Sequence, residues 1–164
     1  MTDSELLGVL VEFSIGLGGF SAITAAFIHQ NQAMGREDVY RVLNLLMMAL
    51  GPAFIALAAL GILKVTASIQ YANGLLLIFI VCAVLQAILG RRSLTVDEQE
   101  VLIPRVIFVM QAAFFLNAGI QLLASLGLFE SPFIALYAGL VVILLQAVVQ
   151  FIRLIVARPG GSGS

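Results

Sequence analysis

This chain has 164 residues, the length of one domain, with 62% hydrophobic and 10% charged side chains. Soluble domains carry about 45–50% apolar and about 25% charged residues. Eight basic and nine acidic side chains cannot coat a surface of that size in water, so composition excludes an ordinary soluble domain. What remains is an all-α, polytopic transmembrane bundle whose outside faces the lipid bilayer. The net charge of −1 comes with no basic patch, so nucleic acid is not expected as a partner. One cysteine, Cys82, and one histidine, His29, cannot build a disulfide, a zinc site, a haem site or an iron–sulfur site by themselves. No metal and no cofactor is expected.

A membrane-crossing helix needs about 20 mostly apolar residues, and five segments qualify: 6–28, 42–63, 72–89, 106–128 and 133–157. The first follows Met-Thr-Asp-Ser-Glu, which lacks the basic region of a secretory signal. It carries Glu12 and four glycines, and the bundle has four spans instead of five if this segment lies on the surface. Polar residues from His29 to Asp38 end it. The second holds Pro52 at mid-span, which is expected to kink the helix and free a backbone carbonyl. A short polar turn, 64–70, leads to the third. Between the third and fourth, Arg91 to Glu100 holds two arginines and three acids. Thr95-Val96-Asp97-Glu98 there matches a capping box, which would start the fourth helix early and leave a kink at Pro104. Glu130-Ser131-Pro132 is a tight turn that restarts the fifth. The tail Gly160-Gly161-Ser162-Gly163-Ser164 has flexible-linker composition and reads as an expression scar outside the folded domain, 1–159.

Five spans place Arg36, Arg41, Arg91, Arg92, Arg105, Arg153 and Arg158 on one side and Lys64 on the other. Basic residues stay inside, which puts the N-terminus outside and the C-terminus in the cytoplasm of a bacterial inner membrane or equivalent plasma membrane. The second and third helices also resemble the fourth and fifth. Arg41-Val42 matches Arg105-Val106, Ala58-Ala59-Leu60-Gly61 matches Ala124-Ser125-Leu126-Gly127, Tyr71-Ala72 matches Tyr137-Ala138, and Ala83-Val84-Leu85-Gln86 matches Ala147-Val148-Val149-Gln150. That pattern predicts a parallel two-helix repeat about an axis along the membrane normal. Convergence of two amphipathic hairpins on the same interface anchors would give the same matches.

Polar residues inside spans face protein or water, and helical spacing sorts them by face. In the first helix Gly8, Glu12, Gly16 and Gly19 form one stripe; Ser14, Gly18, Ser21, Ala25 and His29 form another. Small residues so spaced let helix backbones approach closely, so Gly8, Gly16, Gly18 and Gly19 are candidate packing residues. In the fourth helix Asn117, Gln121 and Ser125 share a face, with Gln111 at its edge. In the fifth, Gly139, Gln146, Gln150 and Arg153 do so; the second offers Asn44 and the third only Gln86 and Cys82. Glu12 and Gln121 fall at similar depth. Together Glu12, Asn117, Gln121, Gln146 and Gln150 read as a polar ladder descending toward Arg153, either a transport path or a polar core. An ionised Glu12 costs about 2.5–3.5 kcal/mol on insertion scales, so it needs a partner, and Gln121 or Asn117 could serve; the alternative is a carboxyl near enough to the outer surface to reach headgroup water. Tyr40, Tyr71 and Tyr137 read as interface anchors, and His29 as a solvated helix end.

No phosphate loop, nucleophile elbow or His-Glu-x-x-His occurs, and the loops are too short for a catalytic domain, so an enzyme is not expected. The first expectation is a small homo-oligomeric channel or transporter for ions or small solutes. The alternative is an accessory or scaffold subunit that binds a larger membrane partner through the mixed-charge loop 91–105. A wet cavity lined by Glu12, Asn117, Gln121 and Gln146 would favour transport. A dry bundle with amides paired helix to helix would favour the scaffold.

Overall fold

A computed structural model describes residues 2–28, 36–65, 68–92 and 104–156. They form five helices: α1 (Asp3–Ile28), α2 (Arg36–Val65), α3 (Gln70–Arg92), α4 (Pro104–Ser125) and α5 (Pro132–Val156). All five are long and apolar enough to cross a membrane, α1 included, and the described residues contain no strand. The expectations for His29, for the capping box at Thr95 to Glu98 and for the tail 160–164 lie outside the described residues, as does the side chain of Arg153.

The ends of these helices follow from local chemistry. At the start of α1 the Glu5 amide donates to Thr2 Oγ1 at 3.3 Å and the Thr2 amide donates to Glu5 Oε2 at 2.7 Å, a reciprocal capping box. α4 and α5 both open on a proline, whose missing N–H is no loss in a first turn. α4 stops three residues short of the expected 128. Gly127 takes φ 74°, the Leu128 amide donates to the Leu123 carbonyl at 3.0 Å, and the Gly127 amide donates to the Ala124 carbonyl at 3.2 Å. This is a glycine-terminated Schellman end. α2 runs unbroken through Pro52, which is fully buried. The proline has no N–H to offer the Met48 carbonyl one turn back, so one rung of the α2 ladder is missing there.

α2 and α5 are the inner helices. α1 packs on both, chiefly on α2, while α3 packs on α2, α4 and α5, and α4 packs on α3 and α5. Leu45, Ala49 and Ala56 of α2 meet Leu76 and Ile80 of α3 and Leu136, Leu140 and Ile143 of α5 in one core. Small residues set the closest approaches. A Cβ at Gly51 would overlap the Phe79 ring of α3, and one at Gly18 would lie 2.5 Å from Leu50 Cδ2 of α2. Outward-facing positions are mostly apolar on every helix, with Phe27, Phe54, Ile78, Phe108 and Ile134 each more than 60% exposed. A soluble monomer rarely exposes so much contiguous apolar surface. For helices in lipid, where core and surroundings do not differ in polarity, packing rests on dispersion contacts and interhelical hydrogen bonds.

Candidate functional site

The buried polar residues gather along α4 and α5. Helical spacing puts Asn117 and Gln121 one turn apart on the face of α4 that meets α5, where both are nearly inaccessible. Gln121 Nε2 donates to the Ala135 carbonyl at 2.8 Å and to Asn117 Oδ1 at 3.1 Å; Asn117 Nδ2 donates to the Gly139 carbonyl at 3.1 Å. Gln146, further along α5, donates back to the Met110 carbonyl of α4 at 3.2 Å. Gly139 makes the contact possible. A Cβ there would overlap Gln121 Nε2 and stand 2.7 Å from Asn117 Oδ1 and 2.9 Å from Leu76 Cδ2. The glycine leaves a slot that the two amides fill.

Apart from the bond between Gln121 and Asn117, these bonds end on backbone carbonyls, so each amide reads the register of the opposite helix. Their net energy is modest: interhelical hydrogen bonds in membranes average about 0.6 kcal/mol. The oxygens Gln121 Oε1 and Gln146 Oε1 are buried without a donor, and a buried acceptor left so costs about 1–3 kcal/mol. The amides therefore fix which turns of α4 and α5 face each other more than they add stability.

Asn73 belongs to the same set, although helical sorting of the sequence found only Gln86 and Cys82 on its helix. It is fully buried at the first turns of α3, and its Nδ2 donates to the Ile69 carbonyl at 3.2 Å and to the Pro132 carbonyl at the start of α5 at 3.1 Å. An asparagine in the first turn of a helix looks like a cap; only the placement of α5 over that turn reveals the tie. Gln86 is half-buried and Cys82 exposed. Gln150 is half-buried one turn beyond Gln146, and Gln111 is exposed. Of the tyrosines, Tyr40 donates from its hydroxyl to the Ala87 carbonyl at 3.4 Å, Tyr71 is 65% exposed, and Tyr137 stacks on Phe133.

The ladder does not extend to Glu12. α1 packs on α2 and α5, and the faces it uses are those of Ser14, Gly18, Ser21 and Ala25, all buried. Glu12 lies on the opposite side of the helix and is exposed, so it is not the partner of Gln121 or Asn117. The glycines of α1 divide in the same way. Gly18 is packed against Leu50, whereas nothing stands within 4 Å of a Cβ built at Gly8, Gly16 or Gly19. The cause is geometric: α1 has two small-residue stripes, and the bundle covers one. No protein-family model, curated protein or solved structure matches this chain. Among the described residues, no three His, Cys, Asp or Glu side chains converge to hold a metal ion.

Proposed function

We propose that this protein is a non-catalytic integral membrane subunit that binds and orders a larger membrane partner. It would sit in a bacterial inner membrane or equivalent plasma membrane, with its N-terminus outside and its C-terminus cytoplasmic. One observation carries this reading. The buried side chains that a solute path through the chain would need, Asn117, Gln121 and Gln146, have their N–H groups directed at backbone carbonyls of the neighbouring helix. Polarity used in this way joins helices and lines no path. The cytoplasmic segment 91–105, with its mixed charge, is the surface offered to the partner.

The bundle is further inferred to be a parallel duplication, α2–α3 with α4–α5. What supports this, beside the sequence matches, is that the neighbours interchange: α2 rests on α3 and α5, and α4 rests on α5 and α3. α1 would then be an addition to a four-helix unit.

The experiment is ion and proton flux through purified protein in liposomes, with wild type beside Glu12→Gln. The subunit reading expects no flux from either. A second reading is favoured by the exposure of Glu12 within a span: a path formed between copies of the chain. It expects wild-type flux that falls in Glu12→Gln. Flux in wild type overturns the subunit reading.

A further inference from the structure

Basic residues hold a membrane protein's orientation whether they are lysine or arginine. This chain uses only arginine on one side: Arg36, Arg41, Arg91, Arg92, Arg105, Arg153 and Arg158, against Lys64 on the other. Orientation leaves that choice unexplained. The two cations differ in what they recognise. A guanidinium is a flat fork of five donors that grips two oxygens of a phosphate together, whereas an ammonium is a hydrated point charge.

The fold gathers four of these arginines on three helices. α3 ends on Arg91-Arg92, α4 opens on Pro104-Arg105, and Arg153 stands in the last turn of α5. The three helices pack on one another pairwise. α3 and α5 start together, at the bond from Asn73 to Pro132, and α4 runs against both, so all four arginines fall at one end of the group. Their depths agree as well. Gln146 bonds to the Met110 carbonyl; Arg153 lies seven residues beyond the one and Arg105 five before the other, a difference in depth of about 3 Å. Each of the four is within three residues of the end of an apolar span, at Leu89, Phe108 or Ile152. That is about 5 Å or less outside the hydrocarbon, within a headgroup layer about 5–7 Å thick.

Carboxylate is the competing oxyanion, and the chain keeps it away from these helix ends. α3, α4 and α5 contain no Asp or Glu. The acids on this side are Glu37 and Asp38, in the first turn of α2, and Asp97, Glu98 and Glu100. The last three are eight or more residues along the chain from both Leu89 and Phe108. Guanidinium is thus concentrated at the depth where a bilayer holds its phosphates, and carboxylate is not.

We infer that the ends of α3, α4 and α5 that carry Arg91, Arg92, Arg105 and Arg153 form a seat for the phosphate headgroup of an anionic phospholipid. The inference rests on the chain crossing a membrane and on neither reading of its function. Lipid selectivity tests the seat, whereas flux tests the subunit reading. Asp97, Glu98 and Glu100, between the basic ends in the sequence, are left for a protein partner.

The test places the full chain in phosphatidylcholine vesicles with a trace of spin-labelled phosphatidylglycerol or spin-labelled phosphatidylcholine. Electron paramagnetic resonance reads the motionally restricted fraction of each label. Wild type is expected to prefer phosphatidylglycerol about fivefold, the effect of one arginine near a membrane surface. The preference is expected to persist in about 1 M salt, where the screening length of about 3 Å removes diffuse attraction. Arg91→Lys, Arg92→Lys, Arg105→Lys and Arg153→Lys together keep the charge and the orientation; this variant shows the preference at low salt and loses it at high salt. The same four positions changed to Gln lose it at any salt. An unchanged helical circular dichroism spectrum verifies the fold of each variant. Wild type with no preference, or with one that salt removes, overturns the inference. So does a Lys variant that matches wild type at high salt, or a Gln variant that keeps the preference. Displacement of the labelled lipid by inorganic phosphate at matched ionic strength gives the seat to a soluble anion. A preference that appears only after Asp97→Asn, Glu98→Gln and Glu100→Gln gives the arginines to the chain's own acids. Either result overturns the inference as well.

Discussion

Gly139 offers the sharpest test of the amide slot. In Gly139→Ala the new methyl would overlap Gln121 Nε2 and press on Asn117 Oδ1 at 2.7 Å and Leu76 Cδ2 at 2.9 Å. Side-chain ends normally yield to such a contact, but these are pinned. Moving Gln121 breaks its bonds to Ala135 and Asn117, and moving Asn117 breaks its bond to Gly139. Three bonds at about 0.6 kcal/mol each amount to about 2 kcal/mol, and any N–H stranded in the core adds about 1–3 kcal/mol. Against this, alanine improves helix propensity by about 1 kcal/mol over glycine. The net is a destabilisation of about 1–4 kcal/mol. The measurement is reversible unfolding in mixed micelles with rising dodecyl sulfate, followed by circular dichroism. Gly119→Ala, on the neighbouring helix with open space at its Cβ, is the control and is expected to gain up to about 1 kcal/mol. Gly139→Ala as stable as wild type would mean that the amides are not held as described.

Other substitutions separate the remaining contacts by sign and by partner. Gly61→Ala and Gly127→Ala, at matching positions of the two hairpins, are expected to differ in sign under the same unfolding assay. The first, helical and open at its Cβ, gains up to about 1 kcal/mol; the second, at φ 74°, loses about 1 kcal/mol or more. Gly51→Ala drives a methyl into the Phe79 ring and should cost about 1–3 kcal/mol. Most of that cost should disappear in a Phe79→Leu background, and a loss unchanged there would place the clash elsewhere. Asn73→Leu removes the tie from α3 to the Pro132 carbonyl and is expected to cost about 0.6–1.7 kcal/mol, read as a lowered unfolding midpoint.

The helices were legible because hydropathy and length decide them, and the ends moved by no more than six residues, the most at the start of α2. The Schellman end at Gly127 is an example: glycine after an apolar run signals a stop, but the run Leu126-Gly127-Leu128 is apolar enough to be counted into the span. Helical spacing also grouped the right residues. Asn117 and Gln121 do share a face, as do Ser14, Gly18, Ser21 and Ala25. What spacing cannot supply is the neighbour that a face meets. Depth placed Glu12 beside Gln121, yet α1 sits against α2 and α5 while Gln121 points from α4 into α5. Asn73 was missed for the converse reason. Its importance comes from the Pro132 carbonyl 59 residues away, and nothing in Tyr71-Ala72-Asn73-Gly74 announces that.

The two kinds of polarity in this chain differ in what can satisfy them. An amide N–H needs an acceptor, and every helix offers backbone carbonyls whose second lone pair is free. Asn117, Gln121, Gln146 and Asn73 can therefore all be engaged within one chain, provided a glycine lets the helices close up, as Gly139 does. The amide oxygens are different. The N–H groups inside a helix are already bonded, so a helix wall offers them no donor, and Gln121 Oε1, Gln146 Oε1 and Asn73 Oδ1 stay buried without one. Folding alone thus satisfies the donor half of each amide and leaves the acceptor half as a cost, which is why these residues fix the register of the helices more than they add stability.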